Sequence, residues 1–87
     1  IIVMSVRTDD CKSKTESLLQ KYGVNYTSLH MRSLGDMRKD TIVKEEMYRT
    51  YLEGKYNVIA VFDDRKSVVE MWRSLGLTVF QVAEGDF

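Results

Sequence analysis

The pair Asp63-Asp64 directly follows the apolar run Val58 to Phe62 and carries the strongest chemical signal in the chain. Neighbouring carboxylates beside a low-dielectric core repel each other, and a divalent cation relieves that repulsion. Magnesium suits such a place because it takes a few carboxylate oxygens together with water and phosphate oxygens. The competing assignment has Asp64 capping the next helix while Asp63 merely ends the strand. Ser5-Val6-Arg7 follows another apolar run. A hydroxyl, a guanidinium and nearby backbone amides can hold phosphate oxygens there, although a helix cap with a solvated arginine explains the same residues. Asp40 and Lys44 stand four apart, a spacing that pairs them on one helix face. An exposed pair of this kind is worth only a few tenths of a kcal/mol. Alternatively, Asp40 aims the Lys44 ammonium at a phosphate, where it would bind substrate and stabilise the transition state. Arg32, Arg38 and Lys39 form the basic cluster of the chain, fit either for a nucleic-acid backbone or for plain solvation.

These groups need elements that carry them to a common edge. Ile1 to Ser5 reads as a strand buried on both faces. Cys11, Thr15, Leu18, Leu19 and Tyr22 recur at helical spacing, with Gly23 as the stop. Tyr26 to Met31 is a second strand, and Arg32 to Arg38, with Gly35, is a loop. The next helix spans about 38–53, turning Val43, Met47, Thr50 and Tyr51 to one face. Val58 to Phe62 reads as a fully buried strand, 66–75 as a helix with Val68, Trp72 and Leu75 inward, and 78–83 as the last strand. Strands separated by helices pair in parallel through right-handed crossovers. Ligands of such sheets bind at the carboxyl ends of the strands. Ser5 with Arg7, the 32–40 loop and Asp63-Asp64 all lie at such ends.

Composition narrows the partners. Thirteen Lys and Arg balance thirteen Asp and Glu, so nucleic-acid binding must come from a local cluster rather than from net charge. The 44% apolar content is that of a globular chain. A single cysteine, Cys11, excludes an internal disulfide and suits a reducing cytoplasm. No apolar run approaches the ~18–20 residues of a membrane span, and no signal peptide is present, so no membrane partner is expected. Ile1-Ile2-Val3-Met4 reads as core rather than as a natural start, and upstream sequence is expected. His30 has no second His or Cys at metal spacing and reads as structural. Trp72 reads as core and the methionines as gap fillers, while Cys11 lacks a nearby base.

Together the pieces resemble the haloacid-dehalogenase (HAD) superfamily of phosphotransferases from its second motif onward. More narrowly, the chain is similar to the C-terminal 3′-phosphatase domain of the bacteriophage polynucleotide kinase-phosphatases. The resemblance is carried by Val3-Met4-Ser5-Val6-Arg7, by 35–46 (Gly35-Asp36-Met37-Arg38-Lys39-Asp40-Thr41-Ile42-Val43-Lys44-Glu45-Glu46), and by Phe62-Asp63-Asp64-Arg65 with Val68 to Arg73. The closing Gln81-Val82-Ala83-Glu84-Gly85-Asp86-Phe87 completes it.

The fold thereby implied is α/β, a three-layer, Rossmannoid sandwich with a mostly parallel sheet, of which residues 1–87 form a partial, C-terminal portion. The implied activity is a magnesium-dependent polynucleotide 3′-phosphatase that removes phosphate from DNA or RNA ends through an aspartyl-phosphate. By position, Asp63 and Asp64 would serve Mg2+, Lys44 would bind the phosphate with Asp40 orienting it, and Ser5, Arg7 and Arg38 would contact substrate. A kinase domain in the same parent protein and a cytoplasmic site of action, in a host cell if phage-encoded, are further implications. The chain departs from the pattern in three ways. It lacks the Asp-x-Asp-Gly-Thr motif that supplies the nucleophile, Val6 replaces the glycine usual between serine and arginine, and the insertion after that arginine is short. This chain alone is therefore expected to be inactive. The alternatives are a phosphatase of small phosphorylated metabolites and a non-catalytic binding module of the same fold.

Overall fold

In the computed structural model, residues 1–85 are described, and they form two compact units, one from Ile1 to Arg38 and one from Lys39 onward. The class is α/β with parallel strand pairing in both.

The N-terminal unit runs β1 (Ile2–Thr8), a single 3-10 turn (Asp9–Cys11), α1 (Lys12–Lys21) and β2 (Ser28–Arg32). β1 and β2 pair in parallel, from Ile2 opposite Ser28 to Ser5 opposite Met31. The register then jumps to Thr8 opposite Arg32, which leaves Val6 and Arg7 as a bulge. α1 stops at Gly23, whose φ of 68° lets the amides of residues 23 and 24 return to the carbonyls of Gln20 and Leu19. On α1 only Thr15 is buried, its hydroxyl donating to the Cys11 carbonyl at 3.0 Å. Leu18 and Tyr22, two of the residues at helical spacing, are exposed. β1 is half-buried rather than covered on both faces.

The C-terminal unit runs α2 (Asp40–Met47), a π-helical turn (Tyr48–Leu52), β3 (Val61–Asp63), α3 (Lys66–Ser74) and β4 (Val79–Gln81). β3 and β4 pair in parallel, Val61 with Val79, Phe62 with Phe80 and Asp63 with Gln81. The core consists of Val43 and Met47 from α2, Leu52, Val68, Val69 and Trp72 from α3, and Val79. Spacings of three and four residues explain this set, because they stack side chains on one helix face. Each such side chain contributes roughly 1.5–3 kcal/mol by leaving water. The 58–62 run, read from sequence as fully buried, gives a strand only at Val61–Asp63. Phe62 is exposed because α3 covers one face of this two-stranded sheet and period-2 alternation sends Phe62 to the other, and Ile59, ahead of the strand, is exposed as well. Asp86 and Phe87, part of the closing motif, lie outside the described residues. Among the described residues, no helix is long and apolar enough to cross a membrane.

Candidate phosphate site

Strand alternation sends Val61 and Asp63 to the α3 side of the sheet, and Asp63 ends β3 at its carboxyl end. There Lys44 Nζ donates to Asp63 Oδ2 at 2.9 Å, and Trp72 Nε1 donates to the same oxygen at 3.3 Å. The Asp64 amide donates to Oδ1 at 2.9 Å. Lys44 and Asp63 are 14% and 9% exposed at their side chains, so this pair is shielded from most solvent screening. Burial pushes the Asp63 carboxyl up, but the Lys44 hydrogen bond and charge, the Trp72 N–H and the Asp64 amide outweigh it and hold the group below its ordinary value. Asp63 is thus an ionised anchor for an ammonium. It neither merely ends the strand nor stands open on both oxygens.

Asp64 behaves differently. The N-cap of α3 is Arg65, with no side-chain cap bond, so Asp64 does not cap that helix. The side chain of Asp64 is exposed, and its carboxylate has no partner among the described residues. Its carbonyl accepts from Gln81 Nε2 at 3.1 Å, which ties the loop to β4. Asp40 opens α2, where a carboxylate suits the positive end of the helix. It pairs with Arg65 at 2.5 Å, so the expected Asp40–Lys44 helix pair is corrected: the carboxylate that orients Lys44 is Asp63. The i,i+4 spacing loses because Lys44 reaches a shielded carboxylate, where charge pairing is stronger than on a wet helix surface.

No group of three or more His, Cys, Asp or Glu is arranged to hold a metal among the described residues. Magnesium needs fewer, since one or two carboxylates complete its shell with water and substrate phosphate. The open carboxylate of Asp64 fits that role. Asp63, with both oxygens taken by N–H donors, fits a supporting one.

In the N-terminal unit, the Arg7 amide donates to Ser5 Oγ at 3.1 Å across the bulge. The Arg7 guanidinium is exposed, with no ion-pair partner among the described residues. Bulges commonly re-aim one side chain beside a functional site. Val6 stands here without positive φ, so the glycine of the resembled pattern is not needed for backbone reasons. Arg38 forks onto Asp36, Nε to Oδ1 at 3.0 Å and Nη2 to Oδ2 at 2.7 Å. That fork, with the Arg38 amide, lowers the Asp36 carboxyl to about 2. Arg32, counted from sequence in the basic cluster, is buried instead. It donates to the carbonyls of Val6 at 2.9 Å, Asp36 at 3.0 Å and Arg38 at 2.6 Å, a structural role. His30 is likewise engaged, with Ser28 Oγ at 3.1 Å, and burial and then the Lys12 charge lower its pKa. A shallow groove on the outer face of α1, lined by Ser13, Lys14, Ser17, Leu18 and Lys21, contains none of the candidate residues.

Sequence reasoning missed Arg65 and Asp36 as ion-pair partners and Trp72 as a donor. The available signal was the choice of tryptophan at a core position, since a buried indole N–H needs a partner.

The chain resembles proteins of known description along its whole length. It shares 44% identity over 84 residues with a candidate bifunctional polynucleotide kinase/RNA ligase of Autographa californica nuclear polyhedrosis virus, covering 94% of this chain and 12% of that protein. A chain in the structure of the Pnkp1/Rnl/Hen1 RNA repair complex superposes with a TM-score of 0.96 at 45% identity, covering 99% of this chain and 28% of its own. A second structure of the Pnkp1/Rnl/Hen1 complex gives the same TM-score and identity with 30% of its chain covered. The chain therefore spans less than a third of the length of these relatives. The family model described as the polynucleotide kinase PNKP phosphatase domain matches residues 1–87, and with a lysine–aspartate pair at a strand end beside an open carboxylate, this chain belongs to that family.

Proposed function

We propose that residues 1–87 form the C-terminal portion of a magnesium-dependent polynucleotide 3′-phosphatase domain that clears terminal phosphates from DNA or RNA strands. The observation that carries this reading is the shielded Lys44–Asp63 pair at the carboxyl end of β3, next to the exposed carboxylate of Asp64. Lys44 would hold the phosphate oxygens and offset the charge that develops during transfer. Asp63 keeps that ammonium in place. Asp64 would hold Mg2+, which supplies charge neutralisation around the phosphoryl group. Arg7, presented by the β1 bulge beside Ser5, would contact a substrate phosphate, and Arg38 the nucleic-acid strand. Asp40 acts through Arg65, fixing the start of α2 against the loop that carries Asp64.

The attacking aspartate would come from sequence outside residues 1–87, since the chain contains no Asp-x-Asp-Gly-Thr. The parent protein would form the aspartyl-phosphate and hydrolyse it. The likeness to a kinase/RNA ligase and to a chain of an RNA repair complex supports a role in mending strand ends, with a kinase function in the same parent protein. The single cysteine suits action in a reducing cytoplasm.

The test measures phosphate release from 3′-phosphorylated RNA and DNA oligonucleotides and from a sugar phosphate, with and without Mg2+. The full-length protein should act on the oligonucleotides only with metal, Lys44→Ala should cut turnover by roughly 100-fold or more, and residues 1–87 alone should be inert. Preference for the sugar phosphate would overturn the substrate assignment, and turnover by the isolated chain would overturn its fragment status.

A further inference from the structure

We propose that Trp72 is a positioning residue for Lys44: its indole N–H holds the same Asp63 oxygen that the Lys44 ammonium grips, and so fixes where that ammonium points. The proposal rests on the reading of Lys44 as the phosphate-binding cation.

A buried position on α3 asks only for apolar volume, which Val68 and Val69 supply without polar atoms. Tryptophan at 72 brings an N–H that must be satisfied, and it is 3% exposed. Its partner is not a backbone carbonyl but Asp63 Oδ2, at 3.3 Å. The terminal torsion of an aspartate is broad, so a carboxylate held at one point turns easily. Here the Asp64 amide holds Oδ1 at 2.9 Å while Trp72 and Lys44 share Oδ2, and the carboxylate plane is set by donors on both sides. Lysine is a compact charge on a flexible four-carbon stem, so the place of its ammonium is decided by its partner. The indole is itself steadied by Tyr48, edge-on with ring centroids 5.9 Å apart and planes at 74°. Tyr48 opens the π-helical turn that continues α2, the helix that carries Lys44. The contacts therefore form a closed circuit: Lys44, Asp63, Trp72, Tyr48 and back along α2. An indole used only to fill space would not need its N–H aimed at the carboxylate that holds the ammonium.

The experiment uses the full-length protein and inorganic phosphate as probe, followed by calorimetry. Trp72→Phe deletes the donor and part of the ring. Site-directed incorporation of benzothienylalanine at 72 deletes the donor while keeping the bicyclic shape, and it answers the question if the phenylalanine variant folds poorly. Both are expected to weaken phosphate binding by roughly three- to tenfold. Affinity for an oligonucleotide ending in a 3′-hydroxyl should stay unchanged, and neither change should add further loss when Lys44→Met is already present. A purely structural role predicts instead a lower melting temperature with phosphate affinity intact, or an equal loss in the Lys44→Met background, and either result overturns the proposal. Wild-type protein that binds phosphate yet releases none from 3′-phosphorylated strands would defeat the phosphatase reading, with the phosphate comparison still deciding the role of Trp72.

Discussion

Adjacent residues of one type have separate roles here. Asp63 and Asp64 are chemically identical, yet one is enclosed by N–H donors and the other is exposed, its carboxylate without a partner among the described residues. Among the arginines, Arg32 donates to carbonyls, Arg38 forks onto Asp36, and Arg7 is exposed. The Arg38–Asp36 fork is testable by titration. The Asp36 carboxyl is lowered to about 2 by hydrogen bonds from the Arg38 side chain and amide. A depressed carboxylate stabilises the folded loop above the ordinary value of 3.8 and ceases to do so as pH falls toward 2. Carbon-detected NMR should place this titration near 2 and move it toward 3.8 in Arg38→Ala. An unmoved titration would show that Arg38 is not the cause.

At the scale of elements, the loop between β2 and α2 is held from inside by Arg32 as well as by its own turn bonds, such as the Asp36 amide to the Ser33 carbonyl at 3.0 Å. A buried guanidinium bridging the carbonyls of Val6, Asp36 and Arg38 joins the β1 bulge to the segment that carries Arg38. Arg32→Ala leaves those carbonyls without their donor and is expected to cost about 1–3 kcal/mol, read from denaturant unfolding. Arg32→Lys should not restore it, because an ammonium lacks the planar fork that reaches divergent acceptors. Hydrogen exchange across 33–38 should accelerate in both variants. Stability matching wild type would refute the bridging role.

Across the whole molecule, many large apolar side chains are exposed. Phe62 and Phe80 stack at 5.3 Å on the face of the β3–β4 sheet that α3 does not cover, and both are exposed. Ile59, Tyr56 and Val82 add exposed apolar surface in the same unit. Exposed apolar patches, where they are contiguous, mark interaction surfaces or aggregation hazards. Residues 1–87 expressed alone are expected to bind the dye ANS and to self-associate at micromolar concentration, and Phe62→Ser with Phe80→Ser should reduce both. A monomer that leaves the dye dark would show that this face is covered in solution. Full-length protein should give a weaker dye response per chain.

Strand–helix alternation, the carboxyl-end location of Asp63-Asp64 and the inward set Val43, Met47, Val68 and Trp72 were all legible in the amino-acid order. Such features follow from local periodicity, which backbone geometry imposes whatever the surroundings. Burial of β1 and of the 58–62 run was not legible, because an apolar run reports which residues favour burial and not whether anything covers them. The partners of the charged groups were equally illegible. Spacing favoured Asp40 for Lys44, and only folding could bring residue 63 to residue 44, residue 40 to residue 65, and an indole to a carboxylate nine positions away. Long side chains reach many candidates along a chain, and the choice among them depends on which carboxylate the packed core shields from water.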